Sequence, residues 1–127
     1  MSRLRLPNYD GSNSDLKDQY SYYGHAHTLP VDDDRLPEMR KQREERGFDT
    51  SELWSLDCTI ASFILPRLKV FHNAYVEDPD SQKDMQLMIQ AFELLATGVD
   101  YSYDGEQYAT VQKGLQLFAR YLPGLWT

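Results

Sequence analysis

Residues 49–75 read DTSELWSLDCTIASFILPRLKVFHNAY, the longest apolar-rich stretch of the chain. Asp49 followed three residues later by Glu52 is a capping-box arrangement, which marks a helix start. Beyond it, apolar residues fall at Leu53, Trp54, Leu56, Ile60, Ala61, Phe63, Ile64, Leu65, Leu68, Phe71 and Tyr75. That stripe is wider than one helix face, so the segment is expected to be the most buried helix of a bundle. Pro66 lies inside it. Proline lacks the N–H that the Ser62 carbonyl would accept and clashes with the preceding turn, so a kink or break is expected there. A kink in a core helix is a natural place for a cleft. Asp57, Arg67 and Lys69 sit among these hydrophobes and are candidate contacts for a ligand or partner, with Trp54 as a stacking surface. For Asp57 the plainer alternative is a structural ion pair or an exposed position, because a carboxylate in a dry setting needs cations or donors to stay charged.

Downstream, two further helices are expected to pack against this one. The first covers roughly 80–97, with Met85, Met88, Ile89, Phe92 and Leu95 at steps of three and four, and Gly98 closing it. Glu93 lies within its apolar run and is a further candidate, again with an exposed or paired position as the plainer alternative. The second covers roughly 105–122, with Asp104 as N-cap and a coiled-coil-like seam at Tyr108, Val111, Leu115, Phe118 and Leu122. Gly114 inside it costs ~1 kcal/mol relative to alanine and suits a close helix approach. Pro123 and Gly124 end the helix, and Trp126 is expected to fold back onto the core as another binding candidate.

Upstream, residues 1–34 carry no sustained period and little aliphatic content, which argues for an irregular arm. The cluster YSYYGHAH at 20–27 makes Tyr20, Tyr22, Tyr23, His25 and His27 candidates for contact with a partner. His25 and His27 alone do not make a metal site, which needs three or four ligands, and the chain's third histidine is His72. Asp34 as a cap, Pro37 in the first turn and Gly47 as a stop frame a short polar helix, expected as a solvated connector. The fold expected is therefore all-α: a three-helix antiparallel bundle (47–127) preceded by an irregular N-terminal arm and short polar helix (1–46).

The totals bound the function. The 127 residues carry a formal net charge of -7, which disfavours direct binding of phosphate backbones and suits a basic protein surface. No run reaches the ~18–20 apolar residues a membrane helix needs, and MSRLRLPNYDG lacks the apolar core of a secretory signal. The single cysteine, Cys58, is expected as a small buried hydrophobe rather than a catalytic thiol. No catalytic constellation, metal set or cofactor motif stands out. A carboxylate-metal enzyme would have to assemble Asp57, Glu93 and Asp84 or His72, without the Glu-x-x-His spacing of such bundles.

One resemblance adds to this reading. Gly47, Phe48, Trp54-Ser55-Leu56-Asp57, Thr59-Ile60-Ala61 and Leu65-Pro66-Arg67-Leu68-Lys69 form a pattern similar to that of small, uncharacterised helical proteins of tailed bacteriophages and prophages. MIQAFELL (88–95) resembles that family's second helix, and GLQLFARYLPGLW (114–126) its ending. The resemblance spans 47–126; Cys58 stands where an aromatic is expected, and 1–46 match nothing comparable. It implies a phage origin and a helical fold, and brings no activity with it. The expectation is a non-enzymatic accessory protein in the host cell cytoplasm that binds a host or phage protein, for instance inhibiting a host enzyme or defence system, or that forms a homo-oligomer. The alternatives are a small-molecule, nucleotide-like binder using Trp54 or Trp126 with Arg67 and Lys69, and a virion structural component.

Overall fold

The computed structural model describes residues 23–97 and 105–126. Among these the chain is all-helical and contains no strand. Four α-helices follow one another: α1 (Leu36–Arg46), α2 (Leu56–Tyr75), α3 (Pro79–Thr97) and α4 (Glu106–Tyr121). Short 3-10 turns occupy Ala26–Thr28, Thr50–Leu53 and Leu122–Gly124. The contacts divide the chain into two compact units, Met1–Thr59 and Ile60–Thr127, with the division inside the first turn of α2. Tyr20, Tyr22, Gly98 and Asp104 lie outside the described residues.

In the first unit, α1 has a proline in its first turn and stops at Gly47, whose φ of 85° places it in the left-handed region. The Gly47 N–H donates to the Arg43 carbonyl at 2.9 Å, closing the last turn. Arg35 rather than Asp34 takes the N-cap position. The capping box at Asp49 and Glu52 forms, but it caps the 3-10 turn Thr50–Leu53 and not the long helix. The chain then passes through an extended Trp54 and a left-handed Ser55 (φ 53°) before α2 begins. The Ser55 carbonyl accepts the first helical bonds, from the N–H groups of Cys58 and Thr59 at 2.9 and 3.2 Å. A non-glycine residue in that region costs about 1–2 kcal/mol.

Ahead of this reversal in the chain lies a buried polar cluster, while Ser55 itself is exposed. The Asp49 carboxylate is fully buried, Arg43 is 5% exposed, and their side chains form an ion pair. The Ser51 hydroxyl donates to Asp49 Oδ1 and accepts from the His25 and Ala26 N–H groups at 2.9 and 3.2 Å. Gln42 Oε1 accepts from the Thr50 N–H at 2.8 Å, so a second residue of α1 clamps the same turn. Gly24 lies so close that a Cβ there would collide with Ser51 Oγ and sit 2.9 Å from Glu52 Cγ. The expectation that α1 is a solvated connector is thereby corrected. Most of its side chains face water, but Met39 and Arg43 are buried, and Arg43 holds the unit together.

The second unit is built on a core of Ala61, Leu68, Met85, Met88, Phe92, Leu95, Val111 and Leu117. Phe92 and Phe118 meet edge to face, with ring centroids 5.0 Å apart. The helices α3 and α4 approach closely at Gly114, where a Cβ would run into the Ala91 side chain and lie 2.8 Å from the Leu87 carbonyl oxygen. Glycine is there for the close approach the sequence anticipates.

Of the kink or break expected at Pro66, the break does not occur: α2 is continuous through it. Arg67 Nη1 donates to the carbonyl of Phe63 at 2.8 Å, in the turn that proline disturbs. Nor is α2 the most buried helix: Ala61 and Leu68 are its only buried residues. Its apolar residues form two stripes, because positions one apart differ by about 100° around a helix. Ala61 and Leu68, with Ile64, Leu65 and Phe71 beside them, pack on the core. Ile60, Phe63 and Val70 are 49%, 48% and 56% exposed.

Candidate functional site

The residues singled out by sequence fall into separate neighbourhoods. Trp54 is half-buried and lies near-parallel to the His25 ring, with centroids 6.1 Å apart. The Trp54 carbonyl is 3.0 Å from His25 Nε2, and the Arg35 guanidinium sits 5.5 Å above the indole. His25 is thus engaged within its own unit, whereas His27 is exposed and Tyr23 half-buried. Arg35 is held in turn by Asp33, at 3.0 and 2.9 Å. That hydrogen-bonded cation pulls the Asp33 carboxyl down to about 2. Asp33, whose carbonyl also accepts the Leu36 N–H at 3.2 Å, therefore serves the entry to α1.

Asp57 is exposed at the start of α2, where an acid suits the helix dipole. Its neighbour Cys58 is half-buried rather than fully buried. Burial first, and the Asp57 charge second, push the thiol upward. A nucleophilic cysteine needs the opposite shift.

In the second unit Lys69 and Glu93 pair at 3.1 Å, both about half exposed, and such a pair contributes little to stability. Arg67 lies over the Phe63 ring, 4.0 Å from its centroid, besides its bond to the Phe63 carbonyl. Both cations proposed as phosphate contacts are therefore already engaged. Asp84 accepts from the Tyr121 hydroxyl at 2.6 Å, and this bond raises the phenol above its ordinary value. Among the described residues no group of three or more His, Cys, Asp or Glu side chains converges as a metal site would require.

Trp126 does not fold back onto the core as expected. It is 78% exposed and lines a groove of about 500 Å³ at the end of α2, with Phe71, Tyr75 and Tyr121. The chain before it explains this: Leu122–Gly124 form a 3-10 turn after α4, and Leu125 packs inward instead.

A second groove of about 390 Å³ runs beside Phe63, Leu68, Phe118 and Leu122 and shares Phe71 and Leu125 with the first. Ile60 and Val70, in helical step with Phe63, extend this half-exposed apolar face along α2, with Arg67 of the same groove lying over the Phe63 ring. Exposed large hydrophobics in isolation are ordinary; contiguous ones mark a surface that another molecule covers.

Sequence reasoning missed this surface as a site while quoting every residue of it. The sequence reading places Ile60 and Phe63 in the buried stripe and does not single out Val70, although Arg67, in step with all three, marks an outward face. It also missed the Arg43–Asp49 pair. No helix among the described residues is long and apolar enough to cross a membrane. Compared with models of protein families, with curated proteins and with solved structures, the chain matches none.

Proposed function

We propose that this chain is a non-enzymatic accessory protein that acts by binding another protein, and that the outer face of α2 is the surface it uses. The observation that carries the reading is the run of half-exposed Ile60, Phe63 and Val70, continuous with an apolar groove. Leaving such side chains in water forgoes about 1.5–3 kcal/mol for each fully covered one. A partner that covers them recovers part of that. In this reading α2, α3 and α4 form an antiparallel bundle that presents the face outward. The resemblance of residues 47–126 to small phage proteins supports action in the cytoplasm of an infected bacterium, against a host enzyme or defence component.

Native mass spectrometry of the protein purified gently from bacterial cells tests this. The expected result is a complex with a second polypeptide that Phe63→Glu abolishes while the chain stays folded. A lone chain carrying a small-molecule increment would overturn the reading in favour of ligand binding. Multiples of the chain alone would replace the heterologous partner with self-assembly.

A further inference from the structure

We infer that the groove at the end of α2 is a cation-binding pocket that receives an arginine or lysine side chain of the partner. This rests on the protein-binding reading above and adds the chemistry of what is bound. The groove is lined by the aromatic residues Phe71, Tyr75, Tyr121 and Trp126 and by the acidic residues Glu77 and Asp78, among others. None of its lining residues is a cation, and Arg120, next to Tyr121 in the chain, is exposed and not among them.

Aromatic faces carry negative charge and attract a cation within about 6 Å of the ring. Two carboxylates beside four aromatic rings supply the Coulombic partner that such a cation needs when it leaves water. The site is braced. Tyr121 is fixed by its hydroxyl bond to Asp84. Asp78 caps α3, its Oδ2 accepting the Ser81 N–H at 3.0 Å, and Gln82 donates to the Val76 carbonyl at 2.7 Å. Against this frame Trp126 and Tyr75 are left 78% and 60% exposed, with the Tyr75 ring tilted against Phe71 at 5.3 Å.

Two features select a polypeptide cation over a free amine. The groove is continuous with the apolar track through Phe71 and Leu125, so a basic residue followed by aliphatic ones fills both. The chain's net charge of -7 draws a basic segment toward it and speeds encounter.

The test uses the full-length chain labelled with nitrogen-15, following the indole N–H signals of its two tryptophans, assigned with a Trp126→Phe variant. The probes are a capped peptide of one arginine followed by aliphatic residues, the same peptide with neutral citrulline in place of arginine, and putrescine. The arginine peptide is expected to shift the Trp126 signal saturably and leave Trp54 unmoved. Citrulline is expected to weaken binding about fivefold or more, as is Glu77→Gln, which changes an exposed residue and leaves the fold intact. Equal affinity for the citrulline peptide, or a Trp126 signal unmoved at millimolar peptide, would overturn the inference. Putrescine binding as tightly as the peptide would overturn the peptide assignment in favour of a free amine. If Trp126→Ala leaves the cellular complex intact in native mass spectrometry, the cation pocket fails while protein binding stands. If no complex forms with the parent protein, the broader reading fails on its own.

Discussion

Removing one member of the Arg43–Asp49 pair should cost more than removing both. Asp49 is fully buried and Arg43 is 5% exposed, so neither charge has bulk water to fall back on. In the Arg43→Met variant the Asp49 carboxylate keeps only the donors of its own turn, the Ser51 N–H at 2.8 Å, the Ser51 hydroxyl and the Glu52 N–H of the capping box. A buried charge stripped of its partner costs about 3–5 kcal/mol. The Asp49→Leu variant strands the guanidinium similarly and removes the turn's cap, worth about another 1 kcal/mol. The double variant strands no charge, because apolar residues of similar volume replace the pair. It is expected to lose only about 1–2 kcal/mol, chiefly for the cap and for Ser51 left without its acceptor. On these figures the coupling in the double-mutant cycle is at least about 5 kcal/mol. Urea unfolding followed by Trp54 emission, in a Trp126→Phe background, reads the first unit specifically, since Trp54 is stacked on His25 there. Additive single effects, or single losses below about 1 kcal/mol, would refute the account of this cluster as the unit's organising contact.

Gly114→Ala is expected to destabilise the second unit by about 1–3 kcal/mol despite alanine's ~1 kcal/mol helix advantage. Ala91→Gly is expected to restore part of that loss, with thermal unfolding as the measure. Met88→Ala, at a side chain with no exposure, should cost about 2–5 kcal/mol. Phe63→Ser on the outer face of α2 should cost the isolated chain less than about 1 kcal/mol; similar losses at the two positions would contradict the burial described. Raising pH should ionise Tyr121 above the ordinary tyrosine range, since its bond to Asp84 holds the phenol up. A raised folded-state value means that this bond's contribution is fully present below about pH 10 and lost as pH climbs through the Tyr121 transition. Absorbance titration near 295 nm should show a tyrosine transition above the ordinary range that Asp84→Asn brings down.

The helices were legible where one face alone decided the outcome. Met85, Met88, Phe92 and Leu95 in α3 follow a single stripe, and Gly114 announced the helix contact by lacking a side chain; in α4 the expected seam is buried at Val111, but Leu115 and Leu122 are exposed and Leu117 is buried instead. Two other things were not legible. The apolar residues of α2 belong to two stripes, and composition cannot say which has a partner within the chain; only Arg67, in step with Ile60, Phe63 and Val70, pointed outward. The Arg43–Asp49 pair joins a residue that reads as surface charge to one that reads as a helix cap. Burial of both depends on the His25–Ala26 backbone closing over Ser51, a contact with no periodic signature. The same contact explains why the capping box ended in a 3-10 turn: Asp49 is committed to Arg43 and Ser51, and the long helix starts afresh after Ser55.

The most direct test of the outer face of α2 as an interaction surface is a photo-crosslinking scan in living bacteria. A photoreactive phenylalanine analogue is placed in turn at positions 57, 60, 63, 70 and 73, all of them exposed. Adducts to one partner polypeptide concentrated at 60, 63 and 70, and weak at 57 and 73, are the predicted result. An even yield at all five positions, or adducts confined to 57 and 73, would contradict it.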